Sequence, residues 1–216
     1  MATELVIWGA SGHAKVVADV AQNAGYRVVG FVDDLRPELD GTTFFGARIV
    51  GTRQGLLTLR DQGLRHVVIG FGHCRGRMAV AKWAAEQGFV LPTLVHPSAV
   101  VATSAQLGPG TVVAAGVVVN PDAVIGANAI LNTSCSVDHD CQLADGAHIC
   151  PGTRLAGDVT VGEASWVGIG SAVREGVRIG QDVMVGAGSV VVSDLPDRVV
   201  AFGSPARVQG PWPPTT

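Results

Sequence analysis

The second half of the chain repeats every six residues. From Val95 to Val191 each sixth residue is aliphatic, through seventeen hexads without a break. The aliphatic residues are Val95, Val101, Leu107, Val113, Val119, Ile125, Leu131, Val137, Leu143, Ile149, Leu155, Val161, Val167, Val173, Ile179, Val185 and Val191. Four places after each comes a small or short residue, and only Leu195 in the last hexad departs. This period suits neither an amphipathic helix nor a half-buried strand, so it indicates an internal repeat.

The hexads predict a prism-shaped solenoid of short parallel strands. In each hexad a strand is followed by a turn, the aliphatic side chain points inward, and the small residue lets the backbone turn the corner. If three hexads make one coil, residues eighteen apart stack at the strand spacing of ~4.8 Å. Seventeen hexads then build between five and six coils.

Composition narrows the class of protein. The chain has 216 residues, a net charge of −3 and 15% charged residues, so we expect no nucleic-acid-binding surface. It has no apolar run of ~18 residues that would span a membrane and no N-terminal pattern typical of a secretory signal. We therefore expect a cytoplasmic protein. Its four cysteines lack zinc-like spacing and are expected to be reduced, structural residues.

The first half alternates predicted strands and helices, which is typical of a small parallel sheet with helices on its faces. The predicted strands are Glu4–Trp8, Arg27–Val32, His66–Phe71 and Phe89–Leu94, and the predicted helices are Ala14–Asn23, Arg53–Gln62 and Arg77–Gln87. Arg77 is expected at a solvated helix end. The chain thus divides into an α/β Rossmann-like domain (1–92), the solenoid (93–207) and a proline-rich tail without clear structure (208–216), anchored only by Trp212.

A glycine-rich turn follows the first predicted strand. In Gly9-Ala10-Ser11-Gly12-His13 a tight turn opens a helix, an arrangement that aims backbone N–H groups at a phosphate. Asp33 and Asp34 follow about twenty residues later, where ribose hydroxyls are usually bound. The third glycine of the dinucleotide fingerprint is missing, so NAD is disfavoured and a nucleotide of another shape is preferred. An ordinary strand-to-helix turn is the alternative.

One coil of the solenoid carries several polar residues, although a solenoid needs none. These are Asn132, Asp138, His139, Asp140 and His148, and Gly157 follows His139 by eighteen residues, so it should stack on it. A histidine beside an accessible backbone N–H suits acyl transfer, because the base takes a proton from the nucleophile and the N–H stabilises the oxyanion. A neighbouring carboxylate would fix the ring tautomer. Polar residues on a solvent-facing turn are the alternative.

Four segments together resemble one family. They are Gly9-Ala10-Ser11-Gly12-His13, Leu94-Val95-His96-Pro97-Ser98-Ala99, His139-Asp140-Cys141 and hexads such as Val161-Gly162-Glu163-Ala164-Ser165-Trp166. Across residues 4–207 the chain resembles the sialic-acid O-acetyltransferase-like family of bacterial hexapeptide acyltransferases. That family includes N-acetyltransferases of nucleotide-linked 4-amino-4,6-dideoxy sugars.

The resemblance implies a left-handed parallel β-helix, a homotrimer with active sites at subunit interfaces, acetyl-CoA as cosubstrate and no metal. The acceptor would be a GDP-perosamine-like or UDP-linked amino sugar used for bacterial surface polysaccharides such as O-antigen. His139 would be the general base for direct attack, assisted by Asp140. Asn132 would orient the site, His148 would hold the acetyl group, and Gly157 would donate the oxyanion N–H.

The same resemblance assigns two binding sites. The nucleotide sugar would contact Gly9, Ser11, Gly12, His13, Asp33 and Asp34. Leu35 stands where the relatives carry a basic residue, which leaves the choice between guanine and uracil open. CoA would lie along a groove between subunits and contact Gly157, Gly168, Gly186, Gly188, Pro205 and Arg207.

Other functions remain open. A hydroxyl acceptor, as in sialic-acid O-acetylation, would use the same histidine base. A catalytically silent scaffold or binding module would need no register between His139, Asp140 and Gly157, which argues against it. A zinc-dependent solenoid like the γ-carbonic anhydrases needs three converging histidines, whereas the mid-solenoid offers only His139 and His148.

Overall fold

The first half of the protein is a three-layer α/β unit. A computed structural model describes residues 2–212, so the part of the predicted tail at 213–216 lies outside it. The elements are β1 (Thr3–Trp8), α1 (Gly12–Asn23), β2 (Tyr26–Val32), a 3-10 turn (Pro37–Leu39), β3 (Thr43–Phe44), β4 (Ala47–Arg48), α2 (Arg53–Asp61), β5 (His66–Ile69) and α3 (Cys74–Glu86). Strands β2, β1 and β5 form a parallel sheet in that order. The predicted alternation of strands and helices is confirmed.

Strand β1 is buried on both faces because its side chains alternate between two cores. Leu5 and Ile7 pack on the side of α1, in a core that continues into the solenoid. Val6 and Trp8 pack on the other side, with residues of α2 and α3. A central parallel strand covered on both faces explains the unbroken apolar run that predicted it.

The last strand predicted in this half is wrong. Within Phe89–Leu94, Val90 makes only an isolated bridge to His66, and Leu94 belongs to a solenoid strand. Pro92 has no N–H to donate to a sheet ladder, which explains the interruption. The hairpin of β3 and β4 was not predicted, because its two-residue strands are too short to show a period. The domain boundary at residues 92 and 93 stays a prediction.

The second half is a parallel β-helix, as the hexads predict. Its two-residue strands are β6 (Leu94–Val95), β7 (Val100–Val101), β8 (Gln106–Leu107), β9 (Val112–Val113), β10 (Val118–Val119), β11 (Val124–Ile125), β12 (Ile130–Leu131), β13 (Ser136–Val137), β14 (Gln142–Leu143), β15 (His148–Ile149), β16 (Arg154–Leu155), β17 (Thr160–Val161), β18 (Trp166–Val167), β19 (Ala172–Val173), β20 (Arg178–Ile179), β21 (Met184–Val185) and β22 (Val190–Val191). Paired strands are eighteen residues apart, as in Val118 with Ser136. Three hexads therefore make one coil.

The strands form three solenoid sheets, one for each face of the prism. The first sheet contains β7, β10, β13, β16, β19 and β22, and the second contains β8, β11, β14, β17 and β20. The third sheet contains β6, β9, β12, β15, β18 and β21. The second residue of each strand is the aliphatic one, and from β9 onward it is buried in the shared core.

The backbone turns each corner one residue earlier than predicted. The third residue after the aliphatic position adopts the left-handed conformation, as in Asp140 (φ 61°) and Gly146 (φ 68°), where Gly, Asn and Asp are tolerated best. The small residue follows it and fills the inside of the corner. Where that residue has a hydroxyl, it links coils: Ser165 Oγ donates to the Gly180 carbonyl (2.6 Å) and accepts from Val183 N–H (2.9 Å).

The α/β unit packs against the third solenoid sheet. The outward side chains of its first four strands, Leu94, Val112, Ile130 and His148, are all buried. Helix α1 contacts β6 and β9. Three of these four covered outward positions are therefore apolar, and the six-residue period alone does not predict which outward positions are covered.

Arg77 is not at a solvated helix end, as expected, but is 1% exposed at this junction. Its guanidinium donates to the carbonyls of Gly72 (2.7 Å), Asn128 (2.8 Å) and Gly146 (2.7 Å). Backbone carbonyls of the turns accept its hydrogen bonds and no acidic side chain pairs with it, so no charge partner in the sequence could have predicted its burial.

An antiparallel hairpin closes the described chain. Strand β23 (Val199–Gly203) extends the third solenoid sheet and pairs with β24 (Ala206–Pro211). The expectation of no clear structure is therefore wrong for residues 208–211, because backbone pairing with β23 orders them despite few apolar side chains. Within residues 2–212, every helix is too short or too polar to span a lipid bilayer. All four cysteines are buried and free within that range.

Candidate active site

His139 lies at the corner between the first and second solenoid sheets, in the turn between β13 and β14. Its Nδ1 is 2.7 Å from Asp140 Oδ2. A Cβ built on Gly157, one coil further along, would approach the ring at Cε1 (2.5 Å) and Nε2 (2.6 Å). The ring therefore lies directly against the Gly157 backbone. Within residues 2–212 the Gly157 N–H donates no hydrogen bond, so it is available to a ligand.

Two aspartates serve His139 differently. The hydrogen bond to Asp140 is the main reason that the pKa of His139 is raised, and the charges of Asp138 and Asp158 add to it. Asp138 Oδ1 instead accepts from the backbone N–H of His139 and from Asn120 Nδ2, both at 2.8 Å. Asp140 therefore holds the ring, whereas Asp138 holds the backbone beneath it. The side chain of His139 is 61% exposed, which leaves Nε2 open to a substrate.

A cavity of about 420 Å³ lies where the third solenoid sheet meets the α/β unit. Asn132 Nδ2 is 3.2 Å from His148 Nε2 in its wall. The ring centroid of His148 is 4.1 Å from Trp166 and 5.9 Å from His13. Met184 completes the apolar side of this cavity. We call it the acyl cavity.

Both histidines of the acyl cavity are neutral. Burial, assisted by the charge of Arg77, lowers the pKa of His148 to about 3 and that of His13 to about 4. The Nδ1 of His148 and the Nε2 of His13 are buried and have no partner among the described residues. Both residues line the same cavity, so its wall contains two ring nitrogens whose hydrogen-bonding capacity is unused.

The structure brings the predicted catalytic residues together in two groups rather than one. His139, Asp140 and Gly157 lie at the corner between the first and second sheets, whereas Asn132 and His148 line the acyl cavity on the third. Within one chain these residues do not form a single cluster, because a coil passes around all three faces of the prism. A corner between two faces of a triangular prism is the edge farthest from the third.

A second cavity, of about 530 Å³, follows the glycine-rich turn. Gly9, Ser11, Asp33 and Asp34 line it, as predicted for the nucleotide site. We call it the nucleotide cavity. Its other walls come from the loop after β2, the start of α2, the loop after β5 and the first turn of α3. The residues are Leu35, Arg36, Arg53, Phe71, His73 and Gly76. Leu35 is 91% exposed and offers an apolar surface to a ligand.

Asp33 holds the nucleotide cavity in shape. Its Oδ2 accepts from Ala10 N–H (3.1 Å) and Arg36 Nη2 (2.6 Å), and its Oδ1 accepts from Leu35 N–H (3.0 Å) and Arg36 N–H (3.2 Å). Burial opposes ionisation, but these hydrogen bonds outweigh it and lower the pKa of Asp33. A carboxylate has about four acceptor positions. All four are used, so Asp33 has none left for the predicted ribose contact.

The acceptor positions of the Asp34 carboxylate are only partly used. It accepts from the backbone N–H and the guanidinium of Arg53, with Nε at 2.8 Å and Nη2 at 2.5 Å. That guanidinium lies 5.7 Å from the ring of Trp8 and 5.4 Å from the ring of Trp83. Asp34 thus remains the better candidate for a direct ligand contact, beside a cation that lies near two aromatic rings packed against each other.

The remaining predicted residues are divided between the cavities. His13 lies in the wall of the acyl cavity rather than with the nucleotide turn, and Gly12 begins α1 without lining either. Gly168 and Gly186, which were predicted to contact CoA, line the acyl cavity. Gly188, Pro205 and Arg207 are exposed and lie outside the walls of both the acyl cavity and the nucleotide cavity. The CoA contacts of these three residues and of Gly157 stay predictions.

Sequence reasoning missed Trp166, Arg53 and Gly72. Trp166 occupies an outward strand position of the repeat, where a large aromatic residue is out of pattern, and that signal was available. Arg53 and Gly72 offered none, because their contacts depend on the tertiary fold. Among residues 2–212 no three His, Cys, Asp or Glu side chains are grouped to hold a metal ion.

Two family descriptions match separate parts of the chain. The PglD N-terminal domain matches residues 4–84, and the bacterial transferase hexapeptide (six repeats) matches residues 158–193. Among curated proteins, GDP-perosamine N-acetyltransferase from Escherichia coli O157:H7 is 30% identical over 121 residues, 53% of this chain and 54% of that protein. Galactoside O-acetyltransferase from Lactococcus lactis is 43% identical over 58 residues, 27% of this chain and 28% of that protein. The chain spans about a quarter to a half of these curated relatives.

Solved structures match over nearly the whole chain. Perosamine N-acetyltransferase from Caulobacter crescentus, in complex with CoA and GDP-perosamine, has a TM-score of 0.92 and 44% identity, covering 96% of this chain and 97% of that one. The acetyltransferase domain of PglB from Neisseria gonorrhoeae, in complex with acetyl coenzyme A, has a TM-score of 0.90 and 37% identity, covering 97% and 100%. The chain therefore belongs to the family of hexapeptide-repeat acetyltransferases that carry a PglD-type N-terminal domain.

Proposed function

We propose that this protein transfers the acetyl group of acetyl-CoA to the 4-amino group of a nucleotide-linked 4-amino-4,6-dideoxy sugar. The observation that carries the proposal is the His139–Asp140 pair lying against the Gly157 backbone. Such a pair can accept a proton beside a free N–H donor. The Caulobacter crescentus relative, bound to CoA and GDP-perosamine, supports this acceptor class and this cosubstrate.

The reaction is a direct attack without a covalent enzyme intermediate. The amine nitrogen bonds to the thioester carbonyl carbon, and the developing oxyanion takes a hydrogen bond from Gly157 N–H. His139 Nε2 accepts the amine proton, and Asp140 stabilises the resulting imidazolium through Nδ1. As the oxyanion collapses, the carbon–sulfur bond breaks and the thiolate leaves, taking up the proton from His139.

The separation of the two catalytic groups supports a site between subunits. His139, at the corner farthest from the third sheet, needs a second chain to meet the acyl cavity of Asn132 and His148. We propose a homotrimer in which each site uses the His139 corner of one subunit and the acyl cavity of its neighbour. Closed symmetry of this kind completes three equal sites without leaving an open surface.

The acyl cavity suits the thioester end of acetyl-CoA. Its apolar wall of Trp166 and Met184 fits a narrow pantetheine arm, and Gly168 and Gly186 let the backbone come close. His148 and Asn132 offer polar contacts for the acetyl carbonyl. CoA is therefore proposed to lie along the third sheet, with Gly188, Pro205 and Arg207 further toward the C-terminal hairpin.

The nucleotide cavity is proposed to hold the diphosphate beside Gly9 and Ser11 and the base between Leu35, Asp34 and Arg53. A GDP-linked sugar is preferred over a UDP-linked one because the Caulobacter crescentus relative, whose structure holds GDP-perosamine, covers 96% of this chain at 44% identity. The role in surface-polysaccharide synthesis follows from that sugar class. Both substrates and the four reduced cysteines suit the cytoplasm.

O-acetylation is the second candidate, favoured by the match of 58 residues of this chain to galactoside O-acetyltransferase. Thiol release from acetyl-CoA, measured against GDP- and UDP-linked 4-amino sugars and sialic acid, separates the two. We expect turnover with a GDP-linked amino sugar. Turnover with sialic acid alone would replace N-acetylation by O-acetylation, and silence with every acceptor would contradict both.

The assignment of the base needs a variant and a matched control. His139→Ala should lower kcat by about 10²- to 10⁴-fold, the range for loss of a general base, while binding of each substrate persists. His96→Ala changes a histidine of the first coil that hydrogen-bonds Ser98 (2.7 Å), and it should retain turnover. Equal rates for His139→Ala and the wild type would remove His139 from the mechanism.

A further inference from the structure

One buried arginine lies between the two substrate cavities. Arg77 is in the first turns of α3, and its guanidinium is anchored to three backbone carbonyls. Gly72 supplies one of them from the α/β unit. Asn128 and Gly146 supply the other two from successive coils of the solenoid, where both residues take the left-handed corner conformation.

The residues around Arg77 face both cavities. His73 and Gly76, in the same helix start, line the nucleotide cavity. Gly72 lines the acyl cavity, and a Cβ built on it would lie 3.2 Å from Trp166 and 3.4 Å from His148. A shift of this turn by a fraction of an ångström would therefore move the two cavities relative to each other.

The anchor is rigid because of its chemistry. Three carbonyls held by three separate turns fix the plane of the guanidinium, whose donors have a set fork geometry. Within residues 2–212 it forms no salt bridge, and burial lowers the pKa of Arg77. A buried charge whose partners are backbone carbonyls and the Cys74 thiol costs stability, so a structural role would be served as well by an apolar residue.

We propose that Arg77 is a positioning residue that fixes the register between the nucleotide cavity and the acyl cavity, acting through Gly72 and the two solenoid corners. This inference rests on the proposed function, because it needs a reaction that joins the contents of both cavities. Arg77 touches neither substrate cavity itself, so its effect falls on the geometry of attack and not on binding.

The same cation acts on the two histidines of the acyl cavity. Its charge lowers the pKa of His13 and of His148 after burial, the larger cause. The titratable groups that face this pair are Arg77 and the two rings themselves, with Cys150 in the same cavity wall. Removal of the cation should therefore raise both imidazole pKa values, which gives a readout that requires no substrate.

The test compares Arg77→Met and Arg77→Lys with Arg75→Met. Arg75 lies on the same helix and also joins the two halves, but through half-exposed ion pairs to Asp182 (2.6 Å) and Glu163. For Arg77→Met we expect kcat to fall at least about tenfold, since misplacement by ~1 Å can cost ~10²-fold, with Kd for each substrate alone within threefold. Arg77→Lys should fall between Arg77→Met and the wild type, and Arg75→Met should stay within twofold.

Proton NMR of the imidazole rings, without substrates, separates this inference from the proposed function. In Arg77→Met the His13 and His148 signals should titrate at higher pH than in the wild type, and in Arg75→Met they should not move. Unchanged kcat and unchanged titration in folded Arg77→Met would overturn the proposal. If that variant does not fold, Arg77→Lys decides by kcat alone, because lysine keeps the cation, and an unchanged kcat would overturn the proposal. Failure of both variants to fold would make Arg77 merely structural and overturn it too. An inactive wild type would contradict the proposed function, and the NMR result would still stand.

Discussion

The imidazole ring of His139 packs directly against the backbone of Gly157, and a methyl group does not fit between them. In Gly157→Ala the new Cβ would overlap Cε1 and Nε2 of the ring. Because the ring is exposed, we expect it to move aside with little loss of folding stability, below about 1 kcal/mol. It would then leave both Asp140 and the Gly157 N–H, so kcat should fall at least about tenfold.

Steady-state kinetics and thermal melting check this prediction together. Gly210→Ala is the control, because a Cβ there meets nothing within 4 Å and the residue lies in the C-terminal hairpin. The relationship between His139 and Gly157 is irrelevant to catalysis if Gly157→Ala keeps its kcat. A large drop in melting temperature would instead show that the ring cannot yield.

The carboxylate of Asp140 sets the acid limb of the pH–rate profile. Its hydrogen bond raises the pKa of His139, and a base acts only when unprotonated, so activity is lost as pH falls through that value. Asp140→Asn should move the acid limb of kcat/KM to lower pH and reduce the plateau. Asp122→Asn is the matched control, since Asp122 occupies the same left-handed position one coil earlier. If the acid limb keeps its position in Asp140→Asn, the group that titrates there is the substrate amine and not His139.

The buried histidines make the protein sensitive to mild acid. The pKa of His13 is about 4 and that of His148 about 3 in the folded state, against 6.5 when unfolded. As pH falls below 6.5, the unfolded chain binds protons at these two histidines and the folded chain does not, so the free energy of unfolding decreases. Between pH 8 and pH 5 each histidine should lower the free energy of unfolding by roughly 2 kcal/mol, because one pKa unit corresponds to about 1.4 kcal/mol.

Urea unfolding at fixed protein concentration measures this loss. The raised pKa of His139 acts in the opposite direction and reduces the net change. His13→Gln should lose less stability between the two pH values than the wild type does, because one of the two groups is gone. An equal loss in both proteins would mean that His13 titrates normally.

Asp33 and Asp34 of the nucleotide cavity should respond differently to substitution. Asp33→Asn removes the charge that holds Arg36 and disturbs four hydrogen bonds, so we expect a loss of at least about 2 kcal/mol of unfolding free energy. Asp34→Asn weakens a more exposed pair with Arg53 and should cost less than about 1 kcal/mol. Its larger effect should be on KM for the nucleotide sugar. Denaturation midpoints and KM values of the two variants in the reverse order would contradict this division.

The fold was largely predictable because it rests on local periodicity. The hexads specify the β-helix, since one aliphatic residue per strand is enough to define an inward face. The spacing of eighteen residues correctly placed Gly157 on His139, because stacked coils share one register. The prediction of a strand at Phe89–Leu94 was wrong because Pro92 interrupts the apolar run and has no N–H for a sheet ladder.

The site was less predictable because it depends on how separate units meet. Sequence spacing placed His139 and His148 in one coil but could not say that they face different sides of the prism. The burial of Arg77 and the full occupation of Asp33 both come from backbone groups, which are the same in every residue and leave no mark in the sequence. Contacts of that kind appear only once the tertiary structure is known.

The division of the catalytic residues between two edges of the prism allows two defective chains to repair each other. In a trimer with sites between neighbours, a His139→Ala chain still offers its acyl cavity, and a His148→Ala chain still offers its base. Every mixed trimer then contains one intact site. Refolding an equal mixture of the two variants should restore about a quarter of the wild-type activity, although each variant alone has almost none. Recovery of activity would show that two chains contribute to each catalytic centre.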